Sequence, residues 1–166
     1  IINSFYSDIC NEDVRLMTTK HGSVEFLTTT KYIGEYLPVD GRGAADTKIL
    51  EIGAGTGRYS LYYAKQGYDV TAVELVGKNL DILRSKTTPD MKICAKWGDA
   101  VNLSGLADDT YDVTLVLGPL YHLYERGDQE RAVSEAVRVT KKGGIIAVAY
   151  LASDSVMIDW ALRGHH

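Results

Sequence analysis

The run Lys48-Ile49-Leu50-Glu51-Ile52-Gly53-Ala54-Gly55-Thr56-Gly57 constrains this chain more than any other stretch. A short strand pattern over 48–52 empties into three alternating glycines, and a helical pattern begins directly after them. Glycine at such a turn lets the backbone take positive φ and lets a ligand approach without meeting a Cβ. A dinucleotide fingerprint, G-x-G-x-x-G/A, would place its third small residue at position 58, where this chain carries Arg58. Here the third glycine comes one step early, at Gly57, which argues against a nicotinamide oxidoreductase.

From this turn onward strands and helices alternate. A helix is predicted at about 57–66, with Leu61 and Ala64 inward and Gly67 as terminator. Strand 69–74, a helix near 77–86 and strand 92–97 follow. Then come strand Tyr111 to Leu117, a helix near 128–140, the turn Lys141-Lys142-Gly143-Gly144 and strand Ile145 to Leu151. Ahead of the glycine turn, Val24, Phe26, Leu27, Ile33, Tyr36 and Leu37 fall near helical spacing until Pro38, and Asp40 to Asp46 reads as a loop. Apolar strands separated by amphipathic helices predict an α/β fold, a doubly wound and mostly parallel sheet covered on both faces. At 166 residues one domain is expected. It comprises an N-terminal helical or lid segment (1–47), an α/β core (48–151) and a C-terminal helix or remainder (152–166).

Composition narrows the partners. A net charge of −4 leaves no basic footprint for a nucleic-acid backbone, so a DNA or large RNA substrate is not expected. Cys10 and Cys94 are far apart with no CxxC, which argues against a disulfide framework or a zinc site. Cys94 lies in an apolar strand pattern and reads as a buried, inert thiol. No apolar run reaches the ~18 residues of a membrane span and no signal-peptide layout stands at the start, so the expectation is a cytoplasmic protein without a membrane partner.

Two acids stand where ligand chemistry is expected. Glu74 closes the second strand 21 residues after Gly53, where doubly wound folds place a carboxylate on ribose hydroxyls. Asp99, in Gly98-Asp99-Ala100 after the third strand, is placed to accept from an adenine amino group, with Ala100 leaving room beside the ring. Taken alone, each reads as an ordinary strand-end or turn residue; their order after the glycine turn favours the ligand roles.

Glu51 to Gly57, Glu74, Gly98-Asp99, Tyr111-Asp112 leading into Leu115-Val116-Leu117-Gly118, and Arg138 through Gly144 resemble the ordered motifs of class I S-adenosylmethionine (SAM)-dependent methyltransferases. The resemblance covers about residues 24–151. Leu117-Gly118-Pro119-Leu120-Tyr121-His122-Leu123 is similar to a group of small bacterial methyltransferases thought to act on small molecules. The resemblance implies SAM as cofactor and S-adenosylhomocysteine (SAH) as product. It implies that the motif Glu51, Gly53, Ala54, Gly55 and Gly57 passes under the cofactor, that Glu74 and Leu75 border its ribose, and that Asp99 and Ala100 border its adenine. Leu117 and Gly118 would face the methionine end. DNA adenine and amide-nitrogen methylases usually carry Asp/Asn-Pro-Pro-Tyr after the fourth strand. Gly118-Pro119-Leu120-Tyr121 lacks that motif's polar first residue and second proline.

Methyl transfer from a sulfonium asks the protein for alignment and a dry pocket, and an oxygen acceptor gains from a general base. His122, just past the fourth strand, is the best base candidate, although a histidine there more commonly packs over the cofactor or hydrogen-bonds a loop. Tyr121 either stacks near the sulfonium as a cation–π partner or, as is commoner, lines the pocket on the acceptor side. Arg15 and His21 read as surface groups, Trp97 and Trp160 as packing aromatics, and His165-His166 as no metal site. Complete class I enzymes add an antiparallel hairpin beyond the fifth strand, and only 15 residues follow Leu151. The expectation is therefore a piece of a longer protein, or a second copy covering the fifth-strand edge as a homo-oligomer. Within the resemblance, an RNA-modifying enzyme and a non-catalytic SAM-binding module are the other readings.

Overall fold

The computed structural model describes residues 20–37 and 43–150. Five strands, β1 (Lys48–Ile52), β2 (Asp69–Glu74), β3 (Ile93–Trp97), β4 (Tyr111–Val116) and β5 (Thr140–Val148), form one sheet in the order β3-β2-β1-β4-β5. Every pairing is parallel. The chain steps outward from β1 to β3, then returns to the other side of β1 with β4. This reversal opens a crevice at the carboxyl ends of β1 and β4, where ligands of open α/β sheets bind.

Side-chain alternation divides the core. Ile49, Val70, Val113 and Leu115 face α1 (Lys20–Tyr36) and α2 (Arg58–Lys65), meeting Ile33, Tyr59 and Tyr63. On the same side, Leu83 of α3 (Gly77–Ser85) packs against Ala72. Leu50, Ile52, Val73 and Val116 point the other way, onto Ala136 and Val139 of α4 (Arg126–Val139) and onto Leu103 and Leu106. Each central strand is buried on both faces, the condition that parallel pairing requires.

Local chemistry sets the boundaries. Helix α2 ends as the glycine predicts. Gly67 takes φ 90°, its N–H donates to Ala64 and that of Tyr68 to Tyr63, while the Tyr63 and Tyr68 rings meet at 5.8 Å. Arg58, whose presence excluded the dinucleotide spacing, lies 4.2 Å over the Phe26 ring and so ties α1 to the start of α2. Tyr59, tilted, and Tyr62, edge-on, pack against the same phenyl ring at 5.1 and 5.3 Å.

Two expectations are corrected. The Lys141–Gly144 stretch is not a turn ahead of β5 but a bulge inside it. Tyr111 pairs with Thr140, and the next registered pair is already Val113 with Ile145. The cause is the buried Asp112, which accepts from the Lys141 ammonium and from the Lys48 N–H, both at 2.9 Å. Gly144 lies so close that a Cβ there would fall 2.9 Å from the Asp112 carbonyl oxygen. Cys94 is exposed rather than buried. Strand β3 is a sheet edge, and α4, on the thiol's side of the sheet, packs over β4 and β5. Smaller differences concern ends: α1 already runs at Lys20, β4 stops at Val116 and β5 at Val148. Arg15, Pro38, Trp160, His165-His166 and all of 152–166 lie outside the described residues, as does the side chain of His21.

Candidate active site

Four strand ends converge on one crevice. Its wall is drawn from Gly53 and Gly55 after β1, Glu74 to Val76 and Asn79 after β2, Gly98 to Ala100 after β3, and Gly118, Pro119 and Tyr121 to Leu123 after β4.

The glycine turn is folded back over β2, since the N–H groups of Gly53 and Ala54 both donate to the Val73 carbonyl, at 2.8 and 3.0 Å. Its glycines serve different ends. Gly55 has φ 56° and would direct a Cβ into open space, so its backbone is bare toward the crevice. Gly57 has φ 87° and closes a packing contact, because a Cβ there would sit 2.1 Å from Cδ1 of Leu83. Gly53 lies under the Pro119 ring, which a Cβ would strike at 2.7 Å.

Glu74 is buried at the crevice wall. Its Oε2 accepts from the Gly55 N–H at 2.7 Å and its Oε1 from the Val76 N–H at 2.8 Å. One carboxylate thereby spans the glycine turn and the entry to α3, with charge-assisted bonds on both sides. Asp99 is half-buried, and its Oδ1 accepts from the Val101 N–H at 3.1 Å, shaping the turn after β3. Trp97 is 66% exposed, and its Nε1–H donates to the Leu75 carbonyl at 2.9 Å, bracing the rim from outside.

Glu51 stands behind the lining. Its carboxylate accepts from the Ser60 N–H at 2.8 Å and from the Ser60 hydroxyl, which fastens the first turn of α2 to β1. Burial pushes its pKa up to about 8, against the pull of the Ser60 hydrogen bonds and with a smaller push from Glu74. Ala54, Gly57 and Leu117 likewise lie outside the lining, whereas Leu75, Ala100, Gly118, Tyr121 and His122 are in it.

The segment after β4 is held as a unit. Pro119–Tyr121 forms a single 3₁₀ turn. The Tyr121 hydroxyl donates to the Leu117 carbonyl, and the Gln129 amide of α4 donates to the Leu123 carbonyl at 2.8 Å. The His122 ring packs edge-on against Tyr121 with centroids 5.2 Å apart, both rings bordering the crevice.

Sequence reasoning missed Val76, Asn79, Gly98, Pro119 and Leu123 as wall residues. Pro119 and Leu123 sat inside a quoted motif without a role. Asn79 left one signal, an amide among the inward positions of an amphipathic helix that also include Leu80 and Leu83.

Residues 50–148 match the family model described as a methyltransferase domain. The chain belongs to that family. SAM is the cofactor of this class of enzyme, as the motif order implied. Among relatives, a demethylmenaquinone methyltransferase from Paenarthrobacter aurescens is 36% identical over 104 residues, 61% of this chain and 38% of that one. A malonyl-[acyl-carrier protein] O-methyltransferase from Pectobacterium atrosepticum is 33% identical over 109 residues, 66% of this chain and 40% of that one. The chain thus spans about two fifths of the curated relatives it matches. The solved structure of a SAM-dependent methyltransferase from Methanosarcina mazei aligns with a TM-score of 0.60 at 25% identity, covering 69% of this chain and 55% of that one. The parallel α/β sheet expected from the alternating pattern and the Rossmann-like class I methyltransferase fold implied by the resemblance are both observed, with an all-parallel sheet among the described residues.

Proposed function

We propose that this chain carries the cofactor site of an enzyme that moves a methyl group from SAM to a nitrogen or oxygen of a small molecule, releasing SAH. The observation that carries this reading is Glu74, a buried carboxylate at the mouth of the glycine turn, beside the bare backbone of Gly55. A strand-end acid next to open glycine backbone suits an adenosyl ligand, whose ribose hydroxyls donate to a carboxylate. In this reading Glu74 and Leu75 hold the ribose, Asp99 and Ala100 border the adenine, and Gly53, Gly55 and Gly118 run beside the methionine end. Glu51, Ala54, Gly57 and Leu117 act from behind, by holding the turn and the helix that shape the wall.

Bound there, the cofactor supplies an electrophilic methyl group on a sulfonium. The chain's own part is alignment and exclusion of water. Tyr121 borders the acceptor, and His122 takes the proton that an oxygen acceptor loses. A small-molecule acceptor is supported by the activity of the demethylmenaquinone methyltransferase relative and by the net charge of −4, which offers no footprint for DNA. The exposed thiol of Cys94 suits a reducing cytoplasm.

Isothermal titration of the chain with SAM and SAH tests this. Binding is expected, and Glu74→Gln, which removes the charge that ribose hydroxyls meet, should weaken SAH by roughly 10- to 100-fold. A folded chain that binds neither ligand ends the proposal. Labelled methyl groups offered with a cell extract should appear in small molecules rather than in nucleic acid.

A further inference from the structure

Asn79 occupies a position that an apolar side chain would fill at less cost. It lies in the first turn of α3, only 4% exposed, on the helix side that also buries Leu80 and Leu83. Among the described residues no backbone or side-chain group hydrogen-bonds its amide. The amide is not sealed in either: among the described residues the enclosed side-chain polar atoms lacking a partner are Arg58 Nη1 and Tyr63 Oη, and Asn79 borders the crevice. A buried amide without a partner is costly, so its retention asks for a partner arriving from the crevice.

We propose that the Asn79 side-chain amide hydrogen-bonds the adenosine half of the bound ligand and is a specificity-determining residue of the cofactor site. This rests on the cofactor reading above. Position selects the adenosine half: Asn79 is five residues beyond Glu74, on the β2 side of the crevice, while the methionine end lies across β1 toward Gly118 and His122. Chemistry agrees. A neutral amide that both donates and accepts complements ring nitrogens, an exocyclic amine and sugar hydroxyls, whereas a charged amino-acid end calls for charged partners or backbone N–H groups.

The test compares the unsubstituted chain with Asn79→Ala, using SAH and 5′-methylthioadenosine, which lacks the amino-acid end. Both ligands should bind the unsubstituted chain, and both should weaken about tenfold in the variant. The unliganded variant should melt no lower than the unsubstituted chain, because it loses an amide that had no partner. A melting temperature that falls along with affinity would mark Asn79 as structural and overturn the inference. So would unchanged affinity, or a loss confined to SAH. Failure of the unsubstituted chain to bind SAH removes the cofactor reading and this inference with it; normal binding with an unaffected variant removes this inference alone. Should Asn79→Ala not fold, the unsubstituted chain still decides. Its Asn79 side-chain amide resonances should shift on adding 5′-methylthioadenosine and stay put with homocysteine. Resonances that ignore 5′-methylthioadenosine would overturn the inference.

Discussion

Glu74 and Asp112 are both nearly buried acids on central strands, yet they stand at opposite ends of the sheet and have opposite surroundings. Asp112, the second residue of β4, is clamped by the Lys141 ammonium and the Lys48 N–H, inside a bulge shaped around it. Glu74, the last residue of β2, is held by backbone N–H groups of two turns at the wall of a crevice. The first arrangement closes on itself and secures the N-terminal ends of three strands. The second keeps a carboxylate aligned by rigid donors at a surface a ligand can reach. Burial of a strand-end acid therefore says little until its partners are known. Glu51 makes the same point from a third position, buried beneath the crevice and engaged by Ser60.

The contrast can be broken experimentally. The largest effect is expected from Glu51. Its pKa is raised from 4.5 to about 8 by burial, so the unfolded chain gives up this proton at lower pH than the folded one. Stability should be full below about pH 4.5 and decline as the pH rises to about 8. Glu51→Gln should remove that slope and be more stable at pH 8 by a few kcal/mol, roughly. Denaturant titrations across this range check it, and a slope that survives the substitution would acquit Glu51. Next comes Asp112→Ala, which strands the Lys48 N–H and the Lys141 ammonium. Because that ammonium is partly exposed, the loss should be about 2–3 kcal/mol, smaller than for a fully buried pair, with SAH affinity unchanged. A parallel drop in affinity would show that the two ends of the sheet are coupled.

The glycine turn divides in the same way, with smaller effects. Gly57→Ala should cost about 2 kcal/mol, since it combines positive φ with a Cβ driven into Leu83, while Gly55→Ala should cost about 1 kcal/mol for φ alone. Affinity for SAH should rank them the other way, because Gly55 faces the crevice and Gly57 faces α3. Paired melting curves and titrations read both orders, and equal effects on affinity would dissolve the distinction between packing and ligand glycines.

Much of this molecule could be read from the chain because the signals are local. The three-glycine spacing, the strand–helix alternation and the stop at Gly67 follow from φ limits and side-chain period, and each element except β5, which begins at Thr140 rather than Ile145, formed within a few residues of where its pattern placed it. The strand-end positions of Glu74 and Asp99 follow once the alternation is known. Other features resisted for a shared reason: they depend on which parts of the sheet are covered. Cys94 and Glu51 both sit in strand patterns, and one is exposed while the other is fully enclosed. Sequence alone cannot tell an edge strand from a central one when both alternate the same way.

What the chain determined by itself was the order of its parts and the place of its tightest turn, because these answer to sterics between neighbouring residues. The pairing of Lys141 with Asp112, the stacking of Arg58 on Phe26 and the place of Asn79 in the crevice wall were decided only on folding. Each joins groups far apart along the chain or turns on where a wall leaves space, and a partner that distance hides is fixed by packing rather than by pattern.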